Sequence, residues 1–156
     1  MCIDHKIICK CGQAAASFNL KEEIMPVEVI RGLYCPTCSG SAAFDPQTMI
    51  ADNGWVIDYD LEIARFASLG SPVKIPASLI TPEFIFDEGF CTWKGIYPGD
   101  AEDSARGKAE LLKLSREDRL KYIRAFKTWT LDRMERLADT GWRKARQASG
   151  LVRAIK

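Results

Sequence analysis

An α+β fold is predicted, with a small antiparallel sheet around a four-cysteine module at the N-terminal end, followed by C-terminal helices. Three observations carry this. Period-two apolar runs and tight-turn signals crowd the first 60 residues, and four of the six cysteines stand as two close pairs in the same stretch. From residue 101 onward apolar residues recur at helical spacing. The chain has 156 residues, 47% apolar and 28% charged, which suffices for a packed core and argues against wholesale disorder.

The elements follow in order. Ile7-Ile8 lead as a strand into the first cysteine pair, and Ala14 to Leu20 suits a second strand with Lys21-Glu22-Glu23 as its exposed turn. Pro26 removes a ladder donor, and the alternation in Val27-Glu28-Val29-Ile30-Arg31 predicts the next strand directly behind it. Leu33-Tyr34 lead into the second cysteine pair. Met49–Asp52 and Trp55–Ile57 flank Asn53-Gly54, a type I′ hairpin signal because both central positions take positive φ. One sheet of four or five strands is the expected product.

Over 58–69 the period changes: Leu61, Ile63, Ala64, Phe66 and Ala67 fit one helix, with Asp58 or Asp60 near its start and Gly70 at its end. Residues 70–100 hold Pro72, Pro76, Pro82 and Pro98 in apolar surroundings and read as an irregular connector. Its Phe84, Ile85, Phe86, Phe90, Trp93, Ile96 and Tyr97 need cover, from the C-terminal helices or from a partner. Beyond it, Glu102-Asp103 suit a helix N-terminus, and Ser115 with Asp118 resembles a capping box opening a longer helix to residue 140, stopped by Gly141. Three regions result: 1–60, a cysteine module with an extra hairpin; 61–100, helix and connector; 101–156, a helical tail packing on the rest.

The cysteines carry the chemistry. Cys9-Lys10-Cys11-Gly12 and Cys35-Pro36-Thr37-Cys38 can each present two sulfurs from one turn, and a chain running out and back between them brings both turns to one ion. Four thiolates suit Zn²⁺, which is redox-inert and accepts a closed tetrahedral sulfur shell. With these two knuckles on short strands, residues 5–60 resemble the zinc-ribbon family, the first knuckle being Cys-x-Cys rather than Cys-x-x-Cys. The resemblance implies metal ligation by Cys9, Cys11, Cys35 and Cys38. A closed shell offers no position for water or substrate, so the zinc is expected to be structural. Two disulfides in an exported protein, or iron at the same cysteines, are the alternatives; the Cys-x-Cys knuckle speaks against a rubredoxin-like iron site. His5 and Cys2 are secondary ligand candidates, and Cys91 reads as a buried core thiol.

Charge is divided along the chain. Lys+Arg 22 against Asp+Glu 21 gives +1, but residues 1–100 carry 7 basic and 13 acidic groups and residues 101–156 carry 15 and 8. On a wheel of the long helix, Leu120, Ile123, Phe126, Met134 and Leu137 share one side, read as a core face on the sheet or connector. Tyr122 and Trp129, with Arg133, lie beside it as the candidate partner-facing patch. The basic tail raises a nucleic-acid reading, with Lys10, Arg143, Lys144 and Arg146 on phosphates. Against it, Glu117–Lys121, Asp132–Arg136 and Asp139–Arg143 are spaced as i,i+4 pairs that would neutralise the outer face.

No phosphate-binding glycine loop and no paired nucleophile and base stand out, so no catalytic residue is assigned. No apolar run reaches membrane-span length, and no export signal opens the sequence, which makes a reducing cytoplasm the expected location. The expectation is a non-catalytic zinc-binding accessory or adaptor protein acting on another protein. A nucleic-acid-binding, transcription-related zinc ribbon and a small iron redox protein are the alternatives.

Overall fold

The computed structural model describes residues 2–21, 23–95 and 97–155, with side chains described for 4–21, 23–95, 97–100 and 102–149. The chain divides into two compact units, residues 1–94 and 95–156. The architecture is α+β, with antiparallel sheets first and helices after.

The first unit holds two three-stranded antiparallel sheets rather than one sheet of four or five strands. Strands β1 (Cys2–Ile8), β2 (Ala15–Lys21) and β6 (Cys91–Trp93) form one sheet in the order β1-β2-β6. Strands β3 (Ile30–Tyr34), β4 (Met49–Asp52) and β5 (Trp55–Tyr59) form the other, in the order β3-β5-β4. Asn53 and Gly54 both take positive φ, +48° and +90°, at the β4–β5 turn, as the hairpin signal requires. The strand expected directly behind Pro26 starts late. Val27–Val29 form a 3₁₀ turn with Val29 fully buried, and pairing begins only at Ile30, opposite Tyr59.

Between β5 and β6 lie α1 (Leu61–Leu69) and α2 (Pro82–Asp87). Asp60 caps α1, accepting from the amides of Glu62 and Ile63 at 3.1 and 3.2 Å, and Thr81 caps α2 with Pro82 in its first turn. The stretch expected to be an irregular connector therefore contains a helix and a strand. Its apolar residues are the core of this unit: Ile85, Phe86, Cys91 and Trp93 are at most 1% exposed. Trp93 pairs with Phe18 in register, its ring 5.0 Å from Phe18, 5.9 Å from Trp55 and 6.0 Å from Phe86. Two buried hydrogen bonds run from one sheet to the other: Trp93 Nε1 donates to Asp52 Oδ2 at 2.8 Å, and the Tyr59 hydroxyl donates to the Cys91 carbonyl at 2.7 Å. Ile96 lies outside the described residues.

The second unit contains α3 (Asp100–Glu117), α4 (Arg119–Thr140) and α5 (Arg143–Ile155). The break falls at Asp118, whose carboxylate accepts from the Lys121 amide at 3.1 Å. Asp118 is thus the cap itself. Ser115, expected in that role, lies inside α3 and its hydroxyl bonds the Leu112 carbonyl. Gly141 ends α4 at φ +113°, its amide reaching back to Leu137 and Ala138. Asp100, 1% exposed, pairs with Arg133, and Tyr97 stacks on Trp142 with centroids 4.8 Å apart.

The α4 stripe expected to be core is buried only at Leu137, with Met134 half-buried; Leu120, Ile123 and Phe126 are 68%, 51% and 39% exposed. Two of the three predicted i,i+4 pairs straddle helix ends: Glu117 and Lys121 stand on either side of the Asp118 break, Asp139 and Arg143 on either side of Gly141. Where a helix stops, residues four apart are no longer neighbours on one face.

Helices α3 and α4 come close at Gly107, where a Cβ would stand 2.5 Å from Trp129 Nε1. An alanine in a helix interior ordinarily gains about 1 kcal/mol over glycine, whereas forcing extra volume into a filled contact costs ~1–3 kcal/mol. Gly107→Ala is expected to lower stability despite its better propensity. Urea unfolding followed by tryptophan fluorescence would check the sign, and a raised midpoint would refute the close contact.

Candidate metal centre

The first cysteine pair sits in the turn that joins β1 to β2. The Cys9 amide donates to Ala14 at 2.8 Å, closing the hairpin, and the Gly12 amide returns to the Cys9 carbonyl at 2.8 Å. Gly12 reaches φ +74°, which a side-chain-bearing residue rarely adopts. This curl is what makes Cys-x-Cys workable. In an extended strand residues i and i+2 project side by side along one face, but here the turn folds Cys11 Sγ back to 3.4 Å from Cys9 Sγ.

The second pair follows β3 in the other sheet. The amides of Cys38 and Ser39 both donate to the Cys35 carbonyl, at 3.1 and 2.8 Å, forming the tight knuckle. Two contacts align the knuckles: the Lys10 amide donates to the Leu33 carbonyl at 3.0 Å, and the Cys35 amide donates to Cys9 Sγ at 3.1 Å. The β4–β5 turn lies beneath, where a Cβ on Gly54 would come within 3.2 Å of Pro36.

The four sulfurs converge, all within 4.8 Å of one another. Cys9–Cys38 is 3.0 Å, Cys11–Cys35 3.7 Å and Cys35–Cys38 3.6 Å. A tetrahedral ion with metal–sulfur bonds of about 2.3 Å needs sulfur–sulfur edges of about 3.8 Å. The donor set therefore fits a thiophilic four-coordinate ion once the edges even out, the shortest of them, Cys9–Cys38 at 3.0 Å, opening by about 0.8 Å. Cys9 and Cys35 are buried, Cys38 is half-buried and Cys11 is exposed, so the cluster lies at the surface with its inner half sealed.

The protons are unevenly shared. Hydrogen bonding from the Cys38 amide, against the opposing effect of burial, draws the Cys35 thiol down to about 6. Burial pushes Cys9 up, but hydrogen bonds from Cys38 and from the Cys11 and Cys35 amides outweigh it, and the net shift is downward. The hydrogen bond to Cys9, with burial second, pushes Cys38 up to about 12. Cys38 thus holds its proton more tightly than Cys35.

The remaining candidates fall elsewhere. His5 stands in β1 opposite Phe18, and among the described residues the converging group consists of the four cysteines alone. Cys2 is placed in β1, and its side chain lies outside what is described. Cys91 is wholly buried in β6, and burial pushes its thiol well up, as suits a core residue and not a nucleophile. Lys10 is exposed on the first knuckle, its stem lying across Gly32. Arg143, Lys144 and Arg146 are on α5 in the second unit, the first two half-buried. Of the patch Tyr122, Trp129 and Arg133, Trp129 sits on Gly107, Arg133 is paired with Asp100, and Tyr122 is half-buried beside Phe126 at 6.0 Å. Leu112, exposed on α3, was not singled out by the sequence reading.

No protein-family model, curated protein or solved structure matches the chain. No helix among the described residues is long and apolar enough to cross a membrane.

Metal binding at such a site releases protons, because each ligating sulfur must be a thiolate. Cys38, at about 12, gives one up across the neutral range, whereas Cys35, at about 6, does so only as the pH approaches 6. Affinity for zinc is therefore expected to rise with pH, most steeply at the acidic end. Competition titrations against a chelator across this range would check it, and an affinity independent of pH would refute thiolate ligation.

Proposed function

We propose that residues 5–60 are a zinc-ribbon-type module with one structural Zn²⁺ on Cys9, Cys11, Cys35 and Cys38, and that the chain is a non-catalytic accessory protein presenting a surface to another protein. The observation that carries the metal reading is the convergence of four sulfurs, from two turns 23 residues apart in sequence, within 4.8 Å. Zinc is favoured over iron because a closed thiolate shell suits a redox-inert ion and the first knuckle lacks the usual iron spacing. Such an ion supplies about 10–16 kcal/mol of apparent binding free energy in small modules, which would clamp the two sheets at their shared end. With all four positions filled by sulfur, the ion has none left for substrate, which places it in a holding role.

A reducing compartment, the cytoplasm, suits this chemistry, and the five cysteines whose side chains are described are all free. The accessory role rests on the second unit, where Leu112, Leu120, Ile123 and Phe126 expose large apolar side chains on adjacent helices.

Elemental analysis of freshly purified protein is expected to find about one zinc per chain, and cobalt loading to give the visible bands of a tetrahedral thiolate site. Stripping the metal, or Cys35→Ser, is expected to unfold the first unit's cysteine end, read as lost amide protection in β3 and the two knuckles. Protein coloured by iron as isolated, or metal-free protein with unchanged protection, would refute this reading. Affinity purification of the full chain from native lysate is expected to recover a stoichiometric protein partner, and its absence would refute the accessory role.

A further inference from the structure

The α3–α4 hairpin carries an apolar groove of about 390 Å³ whose walls include Ala105, Lys108, Leu112, Tyr122 and Phe126. Leu112 is 54% exposed, and Ile123 and Leu120 continue the apolar surface along α4 at 51% and 68%. Tyr122, Phe126 and Trp129 form a ladder of rings at 6.0 Å steps, and Arg133 lies 5.8 Å over the last of them. Water against this much aliphatic and aromatic surface is unfavourable, and two antiparallel helices with an open seam are shaped to take a third.

Charge narrows the occupant. Lys108 lines the groove, Arg116 follows Leu112 by four, Arg119 precedes Tyr122 by three and Lys127 follows Ile123 by four. Helical spacing puts each on the same side as its apolar neighbour, and all four are exposed. Arg106 and Arg133 on the same two helices are paired, with Asp103 and Asp100, whereas none of these four cations lies within ion-pair distance of a described carboxylate. The acids are kept away. At about 100° per residue, Asp103, Glu110 and Glu117 recur on the far side of α3, and Asp132, Glu135 and Asp139 on the far side of α4. Glu102 falls between the two sides, in the first turn of α3, and Asp118 is engaged in capping.

We propose that this groove binds an amphipathic helical segment of a partner protein whose apolar face is flanked by Asp and Glu. The inference rests on the accessory reading above and gives its partner a chemistry. A second copy of this chain fits poorly, since a two-fold pairing of the same face would set Lys108, Arg116, Arg119 and Lys127 against their counterparts. Nucleic acid would answer the cations but leave Leu112, Leu120 and Ile123 without an apolar counterpart.

The test is selection from a displayed library of random helical peptides on full-length, zinc-loaded protein, with two double variants alongside: Leu112→Ser with Phe126→Ser, and Lys108→Glu with Arg119→Glu. All four positions are exposed, so circular dichroism and metal content are expected to match wild type. Selected peptides are expected to carry apolar residues at i, i+3, i+4 and i+7 with acidic flanks. Their affinity is expected to fall at least about tenfold in the apolar variant, and the charge variant is expected to turn the selection toward basic flanks. No enrichment, enrichment without charge bias, or enrichment untouched by the apolar variant would overturn the proposal. So would self-association, or RNA binding, abolished by that same variant. A lysate partner recovered equally by wild type and the apolar variant would overturn the groove while leaving the accessory role standing.

Discussion

Four sulfur atoms gathered inside 4.8 Å constitute the strongest constraint in this molecule. Thiolates that close repel one another, and partial protonation, with Cys38 holding its proton and Cys35 losing its own near 6, relieves only part of that repulsion. A divalent cation at the centre would offset much of it and would turn four mutually repelling ligands into a cross-link. Such a link would reinforce the Lys10–Leu33 and Cys35–Cys9 hydrogen bonds between the knuckles: one knuckle closes the β1–β2 hairpin of one sheet, and the other extends from β3 of the second. Loop closure is the cost such a link offsets, because the turns are separated by a full strand, a 3₁₀ turn and a second strand.

The rest of the first unit reads as support for that junction. Trp93 and Tyr59 make the second connection, each with its polar atom satisfied across the gap, so the two sheets are tied by hydrogen bonds and ring contacts as well as at the cysteine knuckles. Near the cysteine cluster, Gly54 serves two purposes. Its positive φ completes the type I′ turn, and its missing Cβ leaves room for Pro36, so the β4–β5 hairpin buttresses the second knuckle. A side chain at Gly54 would disturb the turn and the ligand loop together.

Much of this was legible in the sequence, and the reasons for the misses are local. The cysteine pairs, the Asn53-Gly54 turn, the Asp60 cap and the Gly141 stop are each fixed by residues adjacent in the chain, whose chemistry permits few alternatives. What escaped depends on residues far apart. That Phe18, Trp55, Phe86 and Trp93 form one core, turning an expected connector into α2 and β6, is a tertiary fact no local period records. The division into two sheets escaped for the same reason, since alternation identifies a strand but not its neighbour. In the helical unit the miss was a boundary. Ser115 and Asp118 stand three apart in a sequence that satisfies a capping box, yet the chain caps on the aspartate, and the shift separates Glu117 from Lys121.

These misses move the argument for a partner from one place to another. The apolar surplus at residues 84–93 looked like surface awaiting cover, and it is instead filled core, so it says nothing about binding. The α4 stripe looked like core, and three of its five residues are open. Full burial of a Leu, Ile or Phe contributes ~1.5–3 kcal/mol, and at 68%, 51% and 39% exposure Leu120, Ile123 and Phe126 forgo part of that while bare cations stand alongside. Exposed aliphatic residues scattered singly need no explanation, but here they adjoin one groove, and the acids of both helices are turned to the opposite side. Solubility alone would be served as well by either sign of charge near the groove. Cations stand on both sides of the hairpin but the acids only at its back, so the rim of the groove carries one sign, which would make it selective as well as adhesive.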